Sequence, residues 1–359
     1  MTTRIERARR DILSLRAHRT VGILLACVLA AVAARGAEPP QLSLPIDCRL
    51  GETCFVQNYV DVDPGPGAQD YICGGATYNG HKGTDFRVLS AAATEGVFVL
   101  AAADGKVLRG RDSMPDRLLR DYASKVELKS IVGENQCGNG LIIDHGGGWT
   151  TQYCHLKHGS IAVRPGQMVK AGDRLGTVGY SGTADFAHVH LTVRHDDVVV
   201  DPFLGRVAAA GTACDAKAQT SEGLWRSDLR ERLGYGRYVI FDAGFAGTPP
   251  DNDEMERDHQ PAVVRADSPA LLFYARMINL KAGDRISVAV DGPQGFRAAN
   301  TTKPLDRNKA VQMIYAGKKL VAKRWPEGIY KGSVSVLRQP AEGGAAVVVA
   351  ERRIALQLR

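Results

Sequence analysis

Between residues 76 and 205 the chain alternates short, β-rich apolar runs with glycine turns: "GVFVLAAADGKVLRG", "NGLIIDHGGGWTTQYCHL", "GSIAVRPGQMVKAGDRLGTVGYSG" and "HVHLTVRHDDVVVDPF". No long amphipathic helix separates these runs, so the pattern predicts an antiparallel β domain. The rhythm breaks once, at 111–136, a charged insert whose "MPDRLLRDYASKVELK" is compatible with a short helix. Inserts of this kind lie on the surface and often flank a functional groove. Polar, helix-compatible residues follow over 206–235 as a linker, and 236–359 returns to β pattern. Roughly seven short strands fit there, which predicts an accessory β-sandwich of immunoglobulin-like type. The expected fold class is therefore all-β.

The two segments before residue 76 read differently. Val21 to Ala34, "VGILLACVLAAVAA", is an apolar run behind an arginine-rich start and ahead of small residues. That is the layout of a secretory signal peptide, here 1–37, with cleavage between Ala33 and Ala37. The run is shorter than the roughly 20 residues that cross a bilayer, so no transmembrane helix is expected in the mature chain. Cys27 and "ARRDIL" leave lipoprotein and twin-arginine export open as variants. Residues 38–75 are rich in proline and glycine, carry three cysteines, and read as an irregular, stapled lead-in.

Export changes the meaning of charge and cysteine content. Residues 1–37 hold seven arginines and two acids, so the net +7 of the whole chain falls to +2, with 39 basic against 37 acidic residues. A surplus that small is no footprint for nucleic acid. Of seven cysteines, six remain after Cys27 leaves, an even number with no CxxC pair, which suits disulfides in an oxidising compartment. Folding "CGNGLIIDHGGGWTTQYCHL" at Gly146–Gly148 sets Cys137 and Cys154 nearly opposite on adjacent strands. These two are expected to be bonded.

The chemistry gathers on histidines. In "FAHVHL", His188 and His190 alternate with apolar residues, so on a strand they share one face. Alone, such a pair is as consistent with a surface strand as with a metal site. Upstream, "GHKGTDFRV" offers His81 and Asp85, and "QYCHL" places His155 near the end of a predicted hairpin strand. His145, before the hairpin turn, reads as a local hydrogen-bonding residue, and the sandwich segment holds one histidine, His259, and no catalytic set. Asn58, Tyr78 and Asn79 are candidates to line the groove by position alone.

Taken in order, "HKGTD", "LIIDHGGGW", "YCHL", "VRPGQMVKAGDRLGTVGYSG", "HVH" and "VDPF" resemble the lysostaphin/LytM-type zinc metallopeptidases, which cut peptide bonds in bacterial peptidoglycan. The likeness runs from Tyr78 to Phe203. Ala187 stands where a proline often precedes the HxH motif, and the 111–136 insert is longer than in compact members. The resemblance implies that His81, Asp85 and His190 bind one zinc ion per chain, with His155 and His188 as unliganded catalytic histidines. Three protein ligands leave a fourth position for water, the arrangement of a catalytic rather than a structural zinc site. It further implies an endopeptidase acting on peptidoglycan stems or cross-links in the periplasm, with a possible envelope protein partner through the C-terminal segment. The alternative within the same fold is a non-catalytic peptidoglycan-binding or amidase-activating module.

Overall fold

The structure is a computed structural model and describes residues 38–208, 214, 223–236, 239–340 and 343–359. The expected signal peptide and part of the expected linker lie outside the described residues. In chain order the first region contains β1 (Cys54–Asn58), β2 (Thr84–Val88), β3 (Phe98–Leu100), β4 (Gly105–Arg111), α1 (Lys125–Ile131), β5 (Asn139–Gly146), β6 (Trp149–Leu156), β7 (Met168–Val169), β8 (Arg174–Thr177), β9 (His188–His195), β10 (Val198–Asp201) and β11 (Arg206–Val207). One antiparallel sheet runs β1-β2-β9-β6-β5-β4-β7, with β10 on β9 and β11 on β10, while β3 and β8 pair separately.

Period-two alternation explains which way this sheet faces. On β9, Val189, Leu191 and Val193 are buried in the core behind the sheet, so His188, His190, Thr192 and Arg194 project from its other face. On β6, Tyr153 does the same beside Gln152, and Ile143 and Phe86 complete the apolar layer from β5 and β2. At the β5–β6 turn, Gly146, Gly147 and Gly148 all adopt positive φ, which glycine enters without a Cβ penalty.

Two segments do more than their composition suggests. Residues 38–75 supply β1, which pairs with β2, and bury Leu42, Ile46, Tyr59 and Tyr71 in the core of the main sheet. From the expected linker, Trp225, Leu229 and Leu233 enter the same core, and Leu42 bridges to Trp225. Scattered apolar residues a few positions apart bury as much surface as a continuous run, and proline and glycine between them do not prevent it. Disulfides join Cys48 to Cys54, Cys73 to Cys214, and Cys137 to Cys154. The last is the pair expected from the hairpin.

The insert folds as a 3-10 turn, Leu119–Asp121, followed by α1, whose N-cap Ser124 accepts a hydrogen bond from the Glu127 amide. Beyond it, α2 (Ser227–Arg230) precedes β12 (Ile240–Ala246), α3 (Asn252–Glu256), β13 (Ala270–Leu280), β14 (Arg285–Asp291), β15 (Arg297–Thr301), β16 (Lys309–Lys319), β17 (Gly328–Arg338) and β18 (Val347–Leu358). These strands form antiparallel sheets β12-β13-β16 and β15-β14-β17-β18. Leu271, Phe273, Ile286, Val288, Tyr330, Val334 and Val336 fill one core between them, a C-terminal β-sandwich. Among the described residues no helix is long and apolar enough to cross a membrane.

Candidate metal centre

Strand pairing brings together residues far apart in sequence. Asp85 on β2 lies opposite His190 on β9, and Cys154 on β6 lies opposite His190 from the other side. The His81 Nε2 stands 3.2 Å from both Asp85 Oδ1 and His190 Nδ1, and His190 Nδ1 stands 2.8 Å from Asp85 Oδ1. The ligand atoms of His81, Asp85 and His190 all lie within 4.8 Å of one another. Among the described residues this is the one group of histidine, cysteine and acidic side chains so disposed. Close packing enforces it: a Cβ on Gly83 would fall 2.5 Å from His190 Nε2 and 2.6 Å from the Leu191 carbonyl.

Groups outside the trio orient it. The Tyr59 carbonyl accepts from His81 Nδ1 at 2.7 Å, leaving Nε2 for the centre. Thr192 Oγ1 lies 3.0 Å from His190 Nε2, leaving Nδ1. Asn58 Nδ2 donates to Asp85 Oδ2 at 2.9 Å, so Oδ1 is the oxygen turned inward. Burial opposes the charge on Asp85, but the imidazoles of His81 and His188 outweigh it and hold the carboxyl well below its usual range. Two nitrogens and one carboxylate oxygen, each with its second atom already engaged, are the donor set that suits zinc. The residues present fit that ion.

His155 and His188 stand beside the trio. Their rings are 4.6 Å apart, and His188 Nε2 is 3.6 Å from Asp85 Oδ1. His155 Nδ1 bonds the Ser181 carbonyl and His188 Nδ1 bonds the Phe186 carbonyl, at 2.7 and 2.8 Å. Each Nε2 is thereby left with a lone pair. Burial, then the neighbouring imidazoles, pushes His155 well below the usual histidine range, and burial also lowers His188. Both are neutral near pH 7. His155 holds φ at 64°, a left-handed conformation costing of order 1–3 kcal/mol outside glycine. Its amide bonds the Cys137 carbonyl at 2.9 Å, so the Cys137–Cys154 hairpin end maintains that strained turn. Tyr78, 55 % exposed, packs its ring tilted against His81 at 4.5 Å between centroids and forms the rim.

The structure thus brings all five singled-out residues to one face of the sheet. Sequence reading did not assign the groups that orient them: Tyr59, Ser181 and Phe186 act through backbone carbonyls, which no side-chain pattern signals. Thr192 was legible in principle, as the next same-face residue after His190. By contrast, His145 bonds the Asp104 carbonyl and Thr151 Oγ1, at 2.7 and 2.8 Å, in a local role away from the trio.

An antiparallel β-sheet presenting a His-Asp-His donor set beside two further imidazoles is the arrangement of a candidate metal centre. Residues 79–202 match the profile described as Peptidase family M23. Cell division protein DipM of Caulobacter vibrioides is 31% identical over 124 residues, covering 34% of this chain and 17% of DipM. The murein hydrolase activator NlpD of Escherichia coli is 30% identical over 128 residues, covering 36% of this chain and 26% of NlpD. Peptidoglycan DD-endopeptidase ShyB of Vibrio cholerae is 32% identical over 113 residues, covering 32% of this chain and 20% of ShyB. The matched segment spans less than a third of each of these three proteins.

Proposed function

We propose that the protein is a zinc-dependent endopeptidase that hydrolyses peptide bonds in peptidoglycan stems or cross-links, in the periplasm. The observation that carries this reading is the completeness of the set: three convergent ligand atoms with a free imidazole nitrogen on each of two further histidines. His81 Nε2, Asp85 Oδ1 and His190 Nδ1 would hold the ion. Bound there, zinc supplies a Lewis acid for the scissile carbonyl and lowers the pKa of water to about 7. The protein's own part is proton handling. His188, nearer Asp85, takes the proton lost by the attacking water, and the His188–His155 pair returns it to the leaving amine. Their neutrality near pH 7 equips both to accept it.

A module that only binds the wall or activates another hydrolase has no need for free imidazoles beside the ion, although one relative carries the name of an activator. The test is digestion of purified, cross-linked peptidoglycan by the zinc-loaded mature chain and by His188→Ala, with fragments read by mass spectrometry. Wild type should release shorter cross-linked peptides, and the variant should keep its zinc while losing at least about 100-fold in rate. Failure of the wild type to cut would favour the activator reading.

A further inference from the structure

The sandwich reaches the metallopeptidase sheet through buried charge. Arg87 lies on β2 two residues beyond Asp85, directly opposite His188 on β9, and is fully buried. Its Nη2 donates to both carboxylate oxygens of Glu256 at 2.8 and 2.9 Å, and its Nη1 donates to Gln57 Oε1 at 2.6 Å. Glu256, the last residue of α3, is 1 % exposed and accepts also from Arg276 Nη2 on β13 at 2.5 Å. Arg276 donates further to Asn252 Oδ1 and the Leu89 carbonyl, and lies 3.5 Å from Asp242. Burying such charges gives little net stability over an apolar contact, whereas removing one partner leaves an uncompensated buried charge.

That geometry leads to His188. The Arg87 guanidinium lies 4.8 Å from the Phe186 ring centroid, and the Phe186 ring lies 4.5 Å from that of His188. The same residue's carbonyl holds His188 Nδ1. On the outer side, the insert grips the same segment: the Leu119 amide bonds the Ala184 carbonyl at 2.8 Å, and Arg120 Nη2 bonds the Asp185 carbonyl at 2.7 Å. Arg120 in turn pairs with Asp253 of α3, and Asp121 pairs with Arg257 at 2.6 Å. Residues 184–186 are therefore held from beneath through Glu256 and from outside through Asp253, both on one short helix of the C-terminal region.

We propose that Glu256 is a positioning residue for His188, acting through Arg87 and Phe186, with α3 as a clamp on the wall of the groove. The inference rests on the reading of His188 as catalytic. In this view the accessory region completes the active-site wall instead of serving as a separate binding arm.

The test uses the full mature chain loaded with zinc. Glu256→Gln removes the charge at nearly constant shape; Asp253→Ala, whose side chain is 62% exposed, loosens only the outer grip. Val334→Ala, in the sandwich core and 1% exposed, is the control for general destabilisation. Two readouts are taken: kcat and KM on cross-linked peptides, and the His188 ring resonances at fixed pH, assigned with His188→Ala. Glu256→Gln should lower kcat about tenfold or more with KM within about twofold, and move the His188 signals. Asp253→Ala should shift both in the same direction by less, and Val334→Ala should move neither while lowering the melting temperature. Unmoved His188 signals in the folded Glu256→Gln protein, or equal movement in Val334→Ala, would overturn the proposal. If Glu256→Gln does not fold, Asp253→Ala decides on the same criteria. If the wild type cleaves nothing, the peptidase reading fails and the resonances still decide the positioning.

Discussion

Which atom of each residue faces the centre is decided by a neighbour that stands outside the trio. Asn58 takes one oxygen of Asp85 and Thr192 takes one nitrogen of His190, so each ligand has a single atom left to offer. Under the proposed roles, Asn58→Ala and Thr192→Val each weaken zinc binding about 10–100-fold, as loss of an orienting partner does elsewhere. Competition against a chelator of known affinity measures it. A different residue controls pH response. Asp201 accepts from the Phe203 and Leu204 amides through Oδ1, while Oδ2 is buried without a partner among the described residues. Burial, assisted by Asp70, raises its pKa from 3.8 to about 7. A carboxyl that holds its proton more tightly when folded stabilises the fold below the unfolded pKa and loses that contribution as pH climbs through the folded one. Relative to Asp201→Asn, the wild type should therefore lose up to about 4 kcal/mol between roughly pH 4 and 7. Urea unfolding of both proteins across that range gives the difference, and a flat difference would exclude the raised value.

At the scale of elements, the β5–β6 hairpin carries the strained His155 and is closed by Cys137–Cys154 over a separation of 17 residues. Opening that loop in a Cys137→Ala/Cys154→Ala double variant should lower stability by about 3 kcal/mol. It should also reduce turnover beyond any loss of folded protein, measured by comparing specific activity with the folded fraction at one temperature. This hairpin was legible from sequence because both its periodicity and its glycine turn are local. Strand β1 was not: "CFVQN" lies in a segment rich in proline and glycine, and what makes it a strand is the edge offered by β2, which no local pattern reveals. Trp225 and Leu229 were hidden for the same reason, being apolar residues in a polar stretch whose partners lie near Leu42. The juxtaposition of His81, Asp85 and His190 was legible through the motif resemblance, whereas the HxH spacing alone fitted a surface strand equally well. Arg87 was the opposite case, a charged residue on a wholly buried strand whose counter-charge lies 169 residues away.

For the whole molecule, the Arg87–Glu256–Arg276 cluster means that the metallopeptidase sheet and the sandwich share a buried seam. Removing one charge from such a seam strands the others and costs about 3–5 kcal/mol. The three tryptophans report the two sides separately, Trp149 and Trp225 from the first region and Trp325 from the sandwich. Urea transitions followed through Trp225 alone and through Trp325 alone should coincide in the wild-type background, and Glu256→Gln should separate them. A second long-range tie has a different consequence. Cys73 and Cys214 are bonded across 141 residues, a span that contains every residue from His81 to His190. The metallopeptidase segment is therefore a closed ring of covalent bonds. A protease that cuts it once opens the ring into a line and leaves one molecule of unchanged mass apart from a single added water. Nicked protein would run intact on a gel until a reductant is added, and then appear as two pieces.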